Sequence, residues 1–294
     1  SRGTSRKAEY SALRDRSSGL KYPDKSLPVD STPGGATVIV EYSGRVFYAG
    51  FSGEVIGGDR HSPRLSSYVM FSTLVDSPPD IAKCYQEGDP TSKETPDLVD
   101  TDGGVIRIDG AYGISKLVNI GVAVLVVAEN GIWSIQGGSD YGFKATNYKV
   151  SKLTSFGCTC PESLVQVDNT VIYWADDGIY SVAANQFGDL VADSVSQATI
   201  QTFYSGIDPI DRKYCRGIYD NYAKKVYWVY GNRPNTPGNV KELVLDLSLN
   251  AFYKYTIGRV SDENKLPLLV SGLKVKPYRF IQTQEDVTVS GGPV

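Results

Sequence analysis

The stretch Leu117–Ile135, LVNIGVAVLVVAENGIWSI, has a second copy further along the chain at Leu164–Val182, LVQVDNTVIYWADDGIYSV. The two stretches align without a gap at an offset of 47 residues, and seven of their 19 positions are identical. Short apolar runs that repeat every 40 to 50 residues or so are typical of the blades of β-propellers. The repeat therefore predicts an all-β, β-propeller-like fold, with four to five blade-sized units along the chain.

Each copy places an acidic turn between two apolar runs, at Glu129–Gly131 in the first and Asp176–Gly178 in the second. Asn-Gly and Asp-Gly pairs supply the positive φ that a tight hairpin requires, so each copy is expected to form a strand pair around its turn. The solid apolar run Val122–Ala128 predicts a strand that is buried on both faces.

Outside the repeat, short runs rich in β-branched and aromatic residues predict further strands. A Ser43–Gly44 turn is expected to join the first two. The segment near Ser194–Phe203 is expected to form either a short helix or a connection between blades. The predicted strands are Thr37–Tyr42, Arg45–Phe51, Tyr68–Leu74, Val105–Ile108, Phe143–Leu153, Arg216–Tyr219, Lys225–Tyr230, Glu242–Leu247, Phe252–Thr256, Leu268–Val275 and Arg279–Gln282.

Residues 1–35 differ from the rest, because they are rich in Ser and basic residues and poor in apolar ones. They predict an irregular N-terminal arm or linker, with a possible short helix around Lys7–Asp15. The arm is interpreted either as a solvated, mobile tail or as a segment that folds onto a neighbouring subunit. Residues 36–294 are predicted to form the β-propeller-like domain.

Two long polar connections, Val75–Thr101 and Gly231–Val240, interrupt this domain. Connections of that length inside a compact domain are usually functional or interfacial. The chain begins without Met, and Asp286–Ser290 near its end has the pattern of a strand. We therefore expect the chain to be part of a longer polypeptide.

The charge balance argues against a protein whose main task is to hold nucleic acid. The 294 residues include 33 acidic and 30 basic ones, for a net charge of −3. Tight binding of phosphates needs a clustered cationic surface. The balance remains compatible with a surface past which DNA slides. The sequence also lacks an apolar run of about 18 residues, so no membrane-spanning helix is predicted.

Cysteine and histidine give no sign of a metal centre or a disulfide framework. Cys158 and Cys160 are too close in an extended chain for an unstrained bridge. A zinc ion would need two further ligands, and His61, the one histidine, lies in a polar loop. Free thiols are expected at all four cysteines: Cys84, Cys158, Cys160 and Cys215.

Two acidic pairs were weighed as chemical sites, Asp176–Asp177 and Asp100/Asp102. General acid–base catalysis needs two carboxyl groups held at a set separation, which neighbours in a turn do not provide. Because Asn130 occupies the position of Asp177 in the other copy, a turn role is favoured there. Asp100-Thr-Asp102 resembles the opening of a calcium loop but lacks the later ligands.

The remaining catalytic patterns are also missing. A Ser/His/Asp triad would have to use His61, and the sequence contains no Gly-x-Ser-x-Gly elbow, phosphate-binding loop or dinucleotide fingerprint. The sequence thus predicts no catalytic, cofactor-binding or metal-binding residues, and a protein that is not an enzyme.

A second interpretation is a glycan-binding or glycan-cleaving propeller on a virion or cell surface. Its candidate sugar-contacting residues are Trp133, Trp174 and Trp228. All three lie within predicted strands, which favours a role in the cores of the blades.

The run from Pro96 to Gly138, which contains DTDGGVIRIDGAYG, resembles the tail tubular protein B, or nozzle, proteins of short-tailed bacteriophages. Phe156–Val182 resembles the same family, as do Phe47–Ser52 (FYAGFS) and Tyr68–Ser72 (YVMFS). The similarity covers roughly Arg45 to Tyr255 and consists of a general pattern rather than a catalytic motif.

The resemblance implies a propeller-containing structural subunit of a virion tail. Such subunits form a six-fold ring that continues the DNA channel below an adaptor ring and helps to anchor tail fibres. The implied partners are further copies of the chain, the adaptor ring protein, the fibres and double-stranded DNA that passes without specific binding.

Overall fold

A computed structural model describes the chain from Ala36 to Gln282 with gaps, and the fold below refers to those residues. The described residues are 36–50, 55–56, 60–61, 66–84, 99–138, 142–186, 188–231, 239–259, 266–269 and 279–282. Several predictions lie wholly or largely outside them: the arm at 1–35 with its helix, residues 85–98 and 232–238 of the two long connections, and the strand at 286–290.

The chain divides into two compact units, Ser1–Gly157 and Cys158–Val294. In the first unit, two four-stranded antiparallel sheets and one small hairpin account for the strands. One sheet has the order β1-β2-β5-β6, the other β7-β8-β9-β10, and β3 pairs with β4. The strands are β1 Val38–Tyr42, β2 Arg45–Ala49, β3 Val55–Ile56, β4 Arg60–His61, β5 Tyr68–Phe71, β6 Gly104–Arg107, β7 Ile114–Asn119, β8 Val124–Ala128, β9 Gly131–Gly137 and β10 Tyr148–Thr154.

The second unit repeats this plan with two more four-stranded antiparallel sheets, β11 to β14 and β15 to β18, each in sequence order. Two short helices, α1 Gln201–Ser205 and α2 Pro209–Lys213, connect them. The strands are β11 Val165–Val167, β12 Thr170–Trp174, β13 Ile179–Ala184, β14 Leu190–Ser194, β15 Arg216–Asp220, β16 Lys225–Tyr230, β17 Asn239–Asp246, β18 Ala251–Arg259, and the pair β19 Leu266–Leu269 and β20 Arg279–Gln282.

These four consecutive four-stranded meanders confirm the predicted all-β fold of propeller-like, blade-sized sheets. The two sequence copies each span three successive strands, β7 to β9 and β11 to β13. Their hairpins share one register, because Val126 faces Trp133 in the first copy as Tyr173 faces Tyr180 in the second. The repeat in sequence is therefore a repeat in structure, strand for strand.

Of the glycines in the two repeat turns, Gly131 has the predicted positive φ and Gly178 does not. Gly178 has no positive φ, and a Cβ there would lie 2.6 Å from Ser196 Oγ. Gly131 has φ +152°, and a Cβ there would lie 2.5 Å from the carbonyl oxygen of Thr154. Both positions thus exclude a side chain because a neighbouring segment approaches closely. The positive-φ argument was wrong for Gly178, whereas Ser43 and Gly44, at +52° and +69°, do form the predicted turn.

The segment Ser194–Phe203, predicted as a short helix or a connection between blades, contains parts of both, because Ser194 ends β14 and α1 begins at Gln201 on the way to the next sheet. The next helix, α2, has clear local causes. Its N-cap Asp208 accepts a hydrogen bond from Ile210 N at 2.8 Å, and Pro209 occupies the first helical position, where no N–H is required.

Each unit contains its own apolar core. In the first, all five residues of β8 are fully buried, and the Phe143 ring packs edge-on against Phe47 and Phe71 at ring distances of 5.0 and 4.9 Å. In the second, Trp174 packs against Trp228 and Tyr230 at 6.0 and 5.4 Å. Large aromatic rings thus fill the space between the paired sheets of each unit.

Candidate functional site

The turn Asp176–Asp177 is a fixed structural junction of the second unit. Asp176 accepts a hydrogen bond from the Thr159 hydroxyl at 3.0 Å, and Asp177 accepts one from the Tyr180 hydroxyl at 2.7 Å. Burial, followed by the contact with Asp177, raises the pKa of Tyr180 well above 10. The two carboxylates therefore accept hydrogen bonds from separate hydroxyl groups rather than converging on a common point.

The main chain of the same turn is held by the helical segment. Arg212, which is buried, donates to the carbonyl oxygens of Asp176 and Ile207, and its guanidinium lies 4.9 Å from the ring of Tyr204. The Tyr204 hydroxyl donates to Ala175 O, and burial raises the pKa of that hydroxyl. Arg212 thus links helix α2 to the hairpin of β12 and β13 through hydrogen bonds.

The second acidic pair has a comparable role in the first unit. The Asp100 carboxylate pairs with Lys144 at 3.3 Å and accepts from the Thr146 hydroxyl, and these contacts lower its pKa, Thr146 most strongly. The Asp102 carboxylate accepts from Val99 N at 3.1 Å, which closes the turn. Within the described part of the chain, no three His, Cys, Asp or Glu residues are grouped as metal ligands.

A buried arginine organises the loop that carries this pair. Arg45 is 2% exposed and donates to the carbonyl oxygens of Ser72, at 2.7 Å, and of Asp100 and Asp102. Its guanidinium carbon lies 5.6 Å from the ring centroid of Phe143. Burial lowers the pKa of Arg45, opposed by Asp102 and then Asp100. No motif in the sequence marks Arg45 for this role.

The three tryptophans weighed as sugar contacts are core residues. Trp133 is 3% exposed, and Trp174 and Trp228 are fully buried. The Trp228 ring nitrogen donates to Ser163 O at 2.8 Å, so even its polar atom is engaged inside the unit. A bound sugar could not reach these rings in this structure.

The four cysteines are buried, and no disulfide joins them. Cys158 donates to Cys160 O at 3.0 Å, and Cys160 donates to Cys215 O at 3.1 Å. Burial raises the pKa of both Cys160 and Cys215, which keeps them protonated and weakly reactive. His61 lies in β4, and its side chain is outside the described part of the structure.

One cleft of the second unit has a volume of about 490 Å³. Helix α1 and the turn after it form one wall, and strands β16 to β18 form the other. Cross-strand pairing of Tyr230 with Lys241 and of Leu243 with Lys254 places both lysines on one face of the sheet. The cleft is lined by Thr202, Phe203, Gly206, Ile207, Tyr230, Lys241, Lys254 and Tyr255.

The two cations of the cleft lie against aromatic rings. Lys254 Nζ is 5.4 Å from the ring centroid of Phe203, and Lys241 Nζ is 5.9 Å from that of Tyr230. The lining contains no Asp or Glu among the residues that the structure describes. No sequence motif marks this cleft, because its residues come from separate segments of the chain.

Among the described residues, no helix has the length and apolar character needed to cross a membrane.

Comparison with known proteins leaves the family unassigned. No family model and no curated protein sequence matches the chain. Among solved structures, it is similar to a Bacteroides fragilis NCTC 9343 protein described as a candidate exported protein, with 12% identity and a TM-score of 0.32. That match covers 81% of this chain and 64% of the other protein, so the chain spans less than two thirds of that relative. A similarity this low does not establish a shared fold or function.

Proposed function

We propose that the chain is a non-enzymatic structural subunit of a bacteriophage tail, of the nozzle type. In this proposal it forms a ring, six-fold in the related proteins, around the channel through which the genome leaves the virion. The adaptor ring and the tail fibres are its protein partners, and double-stranded DNA passes through the lumen without specific binding.

The main support for the proposal is the series of four blade-sized sheets. The polar side chains considered as chemical sites instead form hydrogen bonds and ion pairs within the fold. The acidic pairs hold turns, Arg45 and Arg212 hold main-chain carbonyls, and the tryptophans fill cores. A chain that uses these groups for rigidity suits a scaffold. The resemblance of Pro96–Gly138 and Phe156–Val182 to nozzle proteins is the reason for proposing a ring in a virion tail.

Particle images and mass of the full 294-residue chain test this proposal. A closed ring of identical subunits uses two different, complementary surfaces of each subunit. We expect class averages of negatively stained particles to show six-fold rings, and native mass spectrometry to give six times the 32.0 kDa chain. A chain that remains monomeric at micromolar concentrations, with no ring in any class, would overturn the proposal.

The alternative function is a glycan-binding or glycan-cleaving propeller. Its candidate sugar contacts, Trp133, Trp174 and Trp228, are buried and cannot contact a ligand. Any saccharide contact would need a different set of side chains.

A further inference from the structure

Two strands at the ends of their sheets carry opposite charges on open edges. Strand β10 ends the sheet of β7 to β10, and β14 ends the sheet of β11 to β14, so each pairs with a single strand among those that the structure describes. Lys149 and Lys152 on β10 are exposed, as are Asp193 on β14 and Asp189 next to it. An open strand edge can bind a further strand through its main-chain groups.

The charged residues within these strands face uncharged side chains across their own sheets. Lys149 lies opposite Gln136, and Asp193 lies opposite Ser181. Within the described part of the chain, neither the two lysines of β10 nor the two aspartates at β14 take part in an ion pair. Each edge therefore offers its charge to a partner outside its own sheet.

The main-chain hydrogen bonds show which residues of β10 point to the open side. Gly138 N donates to Asn147 O at 3.2 Å across β9 and β10. From this pair the antiparallel pattern alternates, so every second residue after Asn147, beginning with Lys149, bonds to β9. Val150 and Lys152 consequently direct their N–H and C=O groups away from β9.

The same reasoning applies to β14. Val195 N donates to Ile179 O at 2.8 Å, next to the end of the strand. Counting back in steps of two, Asp193 bonds to β13, whereas the residues between these positions do not. Leu190 and Ala192 therefore direct their N–H and C=O groups to the open side.

The two edges match in length and in the phase of their hydrogen bonds. The regular part of β10 before its bulge, Tyr148–Lys152, has five residues, as has Leu190–Ser194. When these segments are set antiparallel with their ends matched, Val150 lies opposite Ala192. Two residues that both point outward then meet and can exchange hydrogen bonds, as a sheet requires.

We propose that the β10 edge of one copy of the chain pairs with the β14 edge of the next copy, antiparallel and in this register. Lys149 then lies directly opposite Asp193, in a pair without main-chain hydrogen bonds, where opposing side chains approach most closely. The proposal rests on the ring proposed above and specifies the contact between its subunits.

The charges favour this head-to-tail contact over a two-fold one. Two β10 edges would bring lysines of both copies together, and two β14 edges would bring aspartates together, and like charges across a strand pair are destabilising. A contact between two different edges leaves one open edge at each end of a pair of copies. Further copies are added in the same way until the ring closes.

Charge reversal in the full 294-residue chain tests this contact, with assembly measured by native mass spectrometry. Lys149→Glu/Lys152→Glu makes both edges acidic, and Asp189→Lys/Asp193→Lys makes both edges basic. We expect the fraction of chain in rings to fall at least about tenfold for each variant alone. An equal mixture of the two should regain rings, because alternating copies then present opposite charges, and failure of the mixture to assemble would overturn the edge contact.

Lys213→Glu/Lys241→Glu is the matched control. It makes the same change in net charge at exposed lysines of α2 and β17, outside both edges, and should keep the fraction in rings within about twofold. Equal loss in this control would show an effect of net charge and reject the contact. Rings that persist in both edge variants would overturn the contact and leave the ring proposal standing, whereas a wild-type chain without rings would overturn both.

An introduced disulfide tests the register. Lys149→Cys/Asp193→Cys places one thiol on each edge, while the four native cysteines are buried. Oxidised glutathione should then link neighbouring copies covalently, which is seen as multimers on gels without reductant. Lys149→Cys/Val191→Cys moves one thiol by two residues and should link at least about fivefold less. Equal or greater linkage of this shifted pair would overturn the register.

Discussion

At the level of single residues, the first unit relies on one buried guanidinium. Arg45 begins β2, yet its side chain reaches the carbonyl oxygens of Ser72, Asp100 and Asp102. These acceptors lie at the two ends of the single connection between β5 and β6, about 30 residues apart in sequence. A planar group with five donors can satisfy several carbonyls at once, which a lysine cannot do with the same geometry.

Arg45→Ala should therefore destabilise the protein strongly. The substitution leaves buried carbonyl oxygens without a donor and removes a side chain packed against Phe71 and Phe143, so we expect a loss of about 3 kcal/mol or more. Arg45→Lys should fall between wild type and Arg45→Ala. Urea unfolding gives the free energies, and hydrogen exchange should locate the loss of protection in the segments around Ser72 and Asp102.

Arg107→Ala is the matched control for this experiment. Arg107 pairs with Asp109 at 3.4 Å with both side chains largely exposed, so its removal should change stability by less than about 0.5 kcal/mol. Similar unfolding midpoints for Arg45→Ala and Arg107→Ala would show that the buried network contributes little.

The sequence predicted structural roles for some residues and missed others for a physical reason. Asp177 aligned with Asn130, and the structure uses both side chains to hold local segments, Asn130 by donating to Gly110 O at 2.7 Å. Lys241 and Lys254 gave no such signal. Each is an ordinary exposed lysine in its own strand, and only the cross-strand register and the approach of α1 bring them to one cleft.

At the level of elements, local pattern located most strands to within a few residues. The predicted Lys225–Tyr230 is β16 without change, and Glu242–Leu247 falls mostly within β17. The segment 194–203 was only partly predicted, because α1 begins at Gln201 and residues 195–200 form bends and turns after β14. Close approach of a neighbouring segment accounts for Gly178, whereas Gly131 combines such an approach with the predicted positive φ.

The repeat glycines offer a comparison of two equivalent turns. Gly131→Ala would place Cβ 2.5 Å from a main-chain carbonyl, that of Thr154, whereas Gly178→Ala would meet the Ser196 hydroxyl at 2.6 Å. A side chain can move away more easily than a strand. We expect losses of about 2–3 kcal/mol for Gly131→Ala and about 1–2 kcal/mol for Gly178→Ala, measured by urea unfolding.

Gly206→Ala provides the control for both turns. Gly206 has φ −78°, and its added Cβ would lie no closer than 3.4 Å to any neighbour, so stability should stay within about 0.5 kcal/mol of wild type. If Gly131→Ala and Gly178→Ala were as mild as this control, close approach could not be the reason for glycine in the repeat.

At the level of the whole molecule, four similar sheets in sequence make a scaffold by repetition. The 47-residue offset of the repeat was enough to predict several such sheets. A single blade-sized sheet cannot bury its apolar faces alone and needs neighbouring sheets to cover them. Ring formation and the number of subunits depend on surfaces between copies, which a single chain's periodicity does not encode. The ring therefore stays a proposal tested by particle images.

A channel for genome passage must let DNA slide, and this requirement gives the last prediction. Proteins that neutralise several phosphates hold DNA non-specifically with dissociation constants of about 10⁻⁴ to 10⁻⁶ M at physiological salt. With a net charge of −3, the chain should show weaker retention than this and almost no dependence on salt.

Filter binding of labelled duplex DNA by the assembled protein, at about 0.05 and 0.15 M salt, measures both quantities. If DNA were retained at the higher salt and its affinity fell steeply between the two conditions, the protein would be binding many phosphates at once. Such a surface would resist movement of the genome, because each step along the duplex would break several ion contacts together. That result would contradict a passive channel wall, even if the particles proved to be six-fold rings.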